Sequence, residues 1–209
     1  MLRTVLIALL FAAGTALAQS DAGFEVGTHY NRLTPTQPTS SSPEQIEVAE
    51  VFWYGCPHCY NFDPFLADWK PGIAEDVNFV RVPAVWNPLV RLHAQAFYTA
   101  QALGKEEEMH DAFFAEIHQN GNYLDSPEKL ATFFARFDVD RDAFAEAFNS
   151  RDINERLQRA EELSNRYQIQ SVPSIVVNGK YTSNASMTGS YERLISLIDS
   201  LTTAERSAE

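Results

Sequence analysis

The position of the only two cysteines constrains this 209-residue chain more than any other feature. Cys56 and Cys59 lie two residues apart, separated by Pro57 and His58, directly after a run of apolar residues that ends at Gly55. A strand that stops at glycine and is followed by proline predicts a strand-to-helix turn, because proline is tolerated at the first helical position. We therefore expect the cysteine pair at the N-terminus of a helix, next to free backbone N–H groups.

That position favours redox chemistry over a structural role for the pair. The positive end of the helix dipole stabilises a thiolate and lowers its pKa, which makes the sulfur a better leaving group. A disulfide across two intervening residues closes a very small loop and constrains little entropy of the unfolded chain. The spacing therefore predicts a thiol–disulfide oxidoreductase site at Cys56 and Cys59.

The first eighteen residues predict a signal peptide. Arg3 provides a positive N-terminal region, residues 5–13 are apolar but too few to span a bilayer, and residues 16–18 (Ala-Leu-Ala) form a small-x-small cleavage site. The mature chain would begin at Gln19, in a compartment where disulfides persist. The 16 basic and 28 acidic residues give a net charge of −12. This charge argues against nucleic acid as a partner, because phosphate contacts need clustered cations.

The order of strand and helix patterns predicts an α/β fold that is interrupted by helices. The predicted strands are 46–54, 77–82, 174–177 and 180–183, and the predicted helices are 57–69, several within 88–150, 153–167 and 191–201. The Asn-Gly pair at positions 178 and 179 predicts a hairpin. We expect the polar tail after the last helix to fray.

These motifs resemble those of the DsbA family of bacterial periplasmic thiol:disulfide interchange proteins. The resemblance rests on residues 52–60 (FWYGCPHCY), 172–174 (VPS) and 177–181 (VNGKY), and it covers nearly the whole mature chain. It implies a thioredoxin-like fold with an inserted all-helical domain. The implied division is a signal peptide (1–18), a thioredoxin-like domain (19–85 and 151–209) and a helical insertion domain (86–150).

The resemblance also implies an activity and partners. The protein would be a periplasmic enzyme that donates the Cys56–Cys59 disulfide to newly exported proteins through a mixed disulfide at Cys56. Its substrates would be unfolded or partly folded exported proteins with free thiols, and a quinone-linked membrane oxidase of the DsbB type would re-oxidise it. We expect a monomer whose cysteine pair replaces any cofactor. A disulfide reductase or isomerase and a peptide-binding chaperone remain as alternatives.

No metal site is expected, because no second pair of cysteines or histidines completes the four ligands of a structural zinc site. We interpret the four histidines outside the cysteine motif as surface or satisfied structural residues; they are His29, His93, His110 and His118.

The other candidate site residues surround the cysteines. We expect His58 to provide a donor or a positive charge near the Cys56 sulfur, and Pro57 to stiffen the turn. The resemblance implies that Pro173 follows a cis peptide bond. The turn would then bring the Val172 backbone beside Cys56, where it can pair with an extended substrate.

A carboxylate and two aromatic residues complete the candidates. Glu50 lies in an otherwise apolar strand, where a carboxylate is costly unless it is paired or protonated. The resemblance implies that Glu50 lies beneath the disulfide, relays the Cys59 proton and can pair with Arg81; an exposed strand edge is the alternative. Trp53 and Tyr54 either form an apolar substrate-binding wall or belong to the core.

Overall fold

The computed structural model describes residues 23–208, so the predicted signal peptide lies outside the described residues. The strands are β1 (Asn31–Arg32), β2 (Ile46–Phe52), β3 (Val77–Pro83), β4 (Ser174–Val177) and β5 (Tyr181–Ser183). They form one mixed sheet in the order β1-β5-β4-β2-β3. Strand β2 pairs in parallel with β3 and antiparallel with β4, and the predicted hairpin joins β4 to β5.

Helices cover both faces of this sheet and fill the segment between β3 and β4. They are α1 (Pro57–Trp69), α2 (Pro88–Ala102), α3 (Glu106–His118), α4 (Pro127–Phe134), α5 (Arg141–Phe148), α6 (Arg151–Arg166), α7 (Ala185–Thr188) and α8 (Tyr191–Ala208). None of the helices within residues 23–208 combines the length and the hydropathy that crossing a membrane requires.

Strand β2 lies inside the sheet, and all seven of its residues are buried. Its side chains alternate between two cores: Val48 packs with residues of α1 and α8, and Val51 packs with residues of α2 and α6. This double coverage explains the continuous apolar pattern. The strand ends two residues earlier than predicted. The amide of Ala84 still bonds to the Phe52 carbonyl, but the Cys56 amide already closes a turn onto the Trp53 carbonyl.

The helical segment between β3 and α6 has an aromatic core of its own. Helices α2 to α5 bury phenylalanines against one another and against Phe52 at the end of β2; these are Phe97, Phe113, Phe114, Phe133, Phe134, Phe144 and Phe148. The predicted fold class, an α/β sheet with an all-helical insertion, is therefore confirmed. The domain boundaries at residues 86 and 150 stay a proposal.

The C-terminal tail corrects one prediction. Helix α8 continues to Ala208 instead of fraying after residue 201. Glu205 is buried, and its carboxylate accepts hydrogen bonds from Asn178 and Tyr181 and pairs with Lys180. These contacts with the β4–β5 hairpin hold the last turns of the helix, and the polar pattern of the tail did not reveal them.

Candidate active site

The cysteine pair lies where β2 passes into α1, as predicted. Cys56 is the N-cap residue of α1, Pro57 begins the helix, and Cys59 points into the protein interior. The Cys56 sulfur lies 3.4 Å from the carbonyl oxygen of Val172 and donates a hydrogen bond to it only while the thiol is protonated. Both cysteines are free thiols, so this is the geometry of the reduced protein.

The two sulfurs differ strongly in acidity. The hydrogen bond from the Cys59 thiol contributes most to lowering the pKa of Cys56 to about 6; burial opposes it, and the backbone N–H groups of Cys59 and His58 add to it. Burial raises the pKa of Cys59 far above that of an ordinary thiol. At neutral pH Cys56 is therefore the thiolate and Cys59 the thiol that donates to it.

His58 is exposed beside this thiolate, and its backbone contributes more than its ring. The His58 N–H group stabilises the Cys56 thiolate, and the charge of the imidazole lowers the pKa of Cys56 by less than this N–H group does. The His58 carbonyl accepts a hydrogen bond of 3.1 Å from the hydroxyl of Tyr191, at the start of α8. Tyr191 was not among the predicted site residues, although it holds the active-site turn.

The segment before β4 provides the opposite wall. The Val172–Pro173 peptide bond is cis, as the resemblance implied. Pro173 is buried, and Val172 is half-buried and packs against the same apolar cluster as Trp53. The Val172 carbonyl oxygen lies 3.4 Å from the Cys56 sulfur, so the backbone of Val172 reaches the sulfur as expected.

Glu50 lies on the interior strand β2, near enough to Cys59 for its charge to raise the pKa of that thiol. It is 2 % exposed, so the alternative of an exposed strand edge is wrong. Arg81 faces it in register on β3, with Nε 3.4 Å from the Glu50 Oε2 atom. Burial raises the pKa of Glu50 to about 7 although Arg81 opposes the shift, and the charge of Glu50 is one cause of the raised pKa of Cys59. A carboxyl group that titrates near neutral pH beside a thiol can exchange a proton with it.

The polar chain extends beyond Arg81 to Asp63 and His110, which were not among the predicted site residues, and from there to Tyr54. The Nη2 atom of Arg81 lies 3.1 Å from the Oδ1 atom of Asp63 on α1. The same oxygen is 3.0 Å from Nε2 of His110 on α3, and Nδ1 of His110 is 3.0 Å from the hydroxyl oxygen of Tyr54. Asp63 and His110 lie 47 residues apart on different helices, so no local spacing marked them.

The two aromatic candidates have different positions. Tyr54 is only 3 % exposed, stacks on Phe113 with 4.0 Å between the ring centroids, and bonds to His110. Of the two alternatives for Tyr54, its position supports the core and not the substrate-binding wall, because its ring and its hydroxyl are both used inside the core. Trp53 is half-buried, and its indole N–H donates a 3.0 Å hydrogen bond to Nδ1 of His93. Its accessible face can still contact a substrate.

Within residues 23–208, three potential metal ligands lie together, namely Asp63, His110 and Asp111. The Asp63 oxygen in this group already contacts the Arg81 guanidinium and the ring nitrogen of His110. A second cation there would have to displace a buried one, so this arrangement fits an ion-pair network better than a metal site.

Comparisons with known proteins agree with this architecture. The DSBA-like thioredoxin domain family matches residues 72–195. The chain is 42 % identical to the thiol:disulfide interchange protein DsbA of Azotobacter vinelandii, over 96 % of this chain and 94 % of the relative. It is 38 % identical to the protein of the same name from Pseudomonas aeruginosa, over 100 % and 97 % of the two chains.

Solved structures show the same similarity. The crystal structure of Pseudomonas aeruginosa DsbA matches with a TM-score of 0.84 at 39 % identity, over 88 % of this chain and 96 % of that one. The structure of the oxidoreductase DsbA from Xylella fastidiosa matches with a TM-score of 0.83 at 33 % identity, over 88 % and 98 %. The similarity therefore extends through the helical insertion as well as the sheet.

Proposed function

The chain belongs to the DSBA-like thioredoxin family, and we propose that Cys56 and Cys59 are the redox pair of this protein thiol:disulfide oxidoreductase. The observation that carries the proposal is the difference in acidity between the two sulfurs. Cys56 is a stabilised thiolate at the helix N-terminus, and Cys59 is a buried thiol with a raised pKa. A low pKa makes Cys56 the better leaving group when a mixed disulfide is resolved, which favours donation of the disulfide.

The reaction proceeds in two exchanges. A substrate thiolate attacks the Cys56 sulfur of the oxidised protein, the bond to Cys59 breaks, and the Cys59 sulfur takes up a proton. A second substrate thiolate then attacks the substrate sulfur of the mixed disulfide, and Cys56 leaves as the thiolate. The substrate loses two electrons and gains a disulfide, and the protein gains both electrons as the Cys56 thiolate and the Cys59 thiol.

The surrounding residues support these steps. Glu50, with a pKa of about 7, is the proton donor and acceptor for Cys59. The half-buried Val172 backbone and the accessible face of Trp53 contact the substrate chain, and the buried Pro173 fixes the turn that presents Val172. Pro57 fixes the first turn of α1.

The family and the sequence support a proposal for the cellular setting. We propose that residues 1–18 direct export and that the mature protein works in the periplasm as a monomer. Its substrates are unfolded or partly folded exported proteins with free thiols, and a quinone-linked membrane oxidase of the DsbB type re-oxidises it. The cysteine pair carries the electrons, so the reaction requires no further cofactor.

Single-cysteine variants test the proposed roles. Mixed with oxidised glutathione at neutral pH, Cys59→Ala is expected to accumulate a glutathione adduct on Cys56, because the thiolate attacks and no second thiol resolves the product. Cys56→Ala is expected to react far more slowly, because Cys59 remains buried and protonated. Mass spectrometry quantifies both adducts. Faster modification of Cys59 would contradict the proposal.

The double variant separates this function from the chaperone alternative. A protein without either cysteine should lose all oxidative refolding activity on a reduced substrate protein. If it still suppresses aggregation as well as the natural chain does, peptide binding is a separate activity and the chaperone alternative gains support.

A further inference from the structure

We infer that His110, which the helical insertion contributes, is a positioning residue for the thiol–disulfide reaction: it fixes, through Asp63, how Arg81 is shared between two buried carboxylates. The second carboxylate is Glu50, so the inference rests on the proton-transfer role proposed for that residue. His110 touches neither substrate nor sulfur, and it acts only through the side chains between it and Cys59.

The hydrogen-bond partners of His110 determine its tautomer. The Tyr54 hydroxyl is buried and burial raises its pKa, so it stays protonated and donates to Nδ1 of His110. The proton of the neutral ring must then be on Nε2, which donates to the Asp63 carboxylate over 3.0 Å. Burial lowers the pKa of His110, so the ring is neutral in this arrangement. Both ring nitrogens are used, which leaves the imidazole a single orientation.

Asp63 passes the effect of His110 to Arg81. Burial alone would raise the pKa of Asp63, but its contacts with His110 and Arg81 together outweigh burial, and the pKa lies below its usual value. Asp63 is therefore ionised and holds Nη2 of Arg81 at 3.1 Å. Glu50 has the less well aligned contact with the guanidinium, because Nε of Arg81 lies 3.4 Å from the Glu50 Oε2 atom and forms no aligned hydrogen bond.

How closely Arg81 approaches each of the two carboxylates affects the pKa of Glu50. Arg81 lowers the pKa of Glu50, whereas the negative charge of Asp63 raises it. Without the His110 donor, the Asp63 charge is less compensated and draws Arg81 further from Glu50. Removing the Asp63 charge instead leaves Arg81 to Glu50 alone. The two changes must therefore move the titration of Glu50 in opposite directions.

Few other charges reach this network. The titratable or charged groups that act on its members from the surrounding elements are Cys59 on α1, Lys70 in the turn after α1, and Glu106 and Asp111 on α3. Asp111 is exposed, and solvent screens its charge. Met109, Phe113 and Phe114 are buried in the aromatic core. They precede and follow His110 on α3, so their packing fixes the backbone of the helix at His110.

The pH dependence of disulfide reduction tests the inference. The oxidised protein is reduced by dithiothreitol across the neutral range, and each rate is divided by the thiolate concentration of the reagent. Glu50→Gln identifies the inflection that belongs to Glu50, because the variant loses it. His110→Phe should raise that inflection by about 0.5–1 pH unit, and Asp63→Asn should lower it by a similar amount.

Two further variants separate positioning from packing. His110→Gln keeps an N–H donor that can reach Asp63 and should restore most of the natural inflection. Tyr54→Phe removes the other hydrogen bond of His110 without touching Asp63, and the inflection should stay in place. A loss of stability alone would lower the unfolding midpoint of any of these variants but would not move the inflection in opposite directions.

The outcomes distinguish the positioning role of His110 from the proton-transfer role of Glu50. If Glu50→Gln removes the inflection but His110→Phe and Asp63→Asn leave it unchanged, the role of His110 is refuted and that of Glu50 stands. If Glu50→Gln itself leaves the profile unchanged, the proposed proton transfer by Glu50 is refuted. If His110→Phe and Asp63→Asn move the inflection in the same direction, the sharing of Arg81 is refuted.

Discussion

At the scale of single residues, the chemistry depends on a small difference in position between two identical side chains. Cys56 caps helix α1 and can receive hydrogen bonds from the Cys59 thiol and from two backbone amides. Cys59, one turn later, is enclosed by the core. The same thiol group therefore becomes a stabilised anion at one position and a weak acid at the other.

The contribution of His58 can be divided between its ring and its backbone. His58→Pro removes both the imidazole and the N–H donor, and proline is tolerated in the first turn of a helix. We expect it to raise the pKa of Cys56 by about one unit. His58→Ala removes only the ring and should raise the pKa by less than half as much.

The ultraviolet absorbance of the thiolate, titrated in the reduced variants, measures both values. An equal rise in the two variants would show that the ring, and not the backbone, stabilises Cys56.

At the scale of elements, the turn between β2 and α1 is packed too tightly to accept a larger residue. A Cβ atom on Gly55 would lie 2.2 Å from Cζ2 of Trp53. The indole cannot move away freely, because its N–H group is bonded to the buried His93. Nε2 of His93 is in turn 3.0 Å from the Tyr123 carbonyl oxygen, and burial lowers the pKa of His93 to about 4. His93 on helix α2 thus holds the Trp53 ring beside the cysteines.

Gly55→Ala should therefore destabilise the protein by about 1–2 kcal/mol, since overpacking outweighs the entropy gained in the unfolded chain. The free energy of unfolding in urea measures the effect. Gly72→Ala is the matched control, because its added methyl group meets nothing within 4 Å and its backbone is not left-handed. Equal stabilities of the two variants would contradict the packing of Trp53 described above.

Local signals predicted the elements well and long-range contacts poorly. Helix α1 was predicted at its observed bounds, because Pro57 begins it and the Pro-Gly pair at positions 71 and 72 follows its end. The sequence left the role of Tyr54 undecided, because an aromatic residue near a reactive cysteine looks the same in sequence whether it faces solvent or Phe113. Asp63 and His110 were missed because their pairing exists only after α1 and α3 pack together.

At the scale of the whole molecule, the helical insertion is joined to the sheet by polar contacts as well as by apolar packing. Its aromatic core covers Phe52 at the end of β2, and His110 enters the ion-pair network that contains Glu50. The redox state of the cysteines should therefore affect the stability of the entire fold, with a dependence on pH that comes mainly from Cys56.

We expect the reduced protein to gain stability over the oxidised protein as the pH rises. The pKa of Cys56 falls from 9.0 to about 6 on folding, so the folded chain has released a proton that the unfolded chain still binds between these values. The stabilisation from Cys56 grows between these values and is lost as the pH falls through about 6. Above about pH 9 the raised pKa of Cys59 opposes it, because the unfolded chain then releases a proton that the folded chain keeps. Solvent screening limits the total change to about 2 kcal/mol.

Urea denaturation of both redox forms across this range measures the difference. The oxidised protein is the reference, because it has no Cys56 thiol to titrate. A constant difference between the two forms would contradict a stabilised thiolate.

The reduction potential of the Cys56–Cys59 pair, measured by equilibration in glutathione buffers, tests the proposed direction of electron flow most directly. A difference of about 30 mV corresponds to roughly 1.4 kcal/mol for this two-electron couple, so even a modest stabilisation of the thiolate is measurable. We predict a potential well above that of glutathione, as a disulfide donor requires. A potential well below it would mean that the protein is a reductant, and that Cys56 does not drive donation of the disulfide.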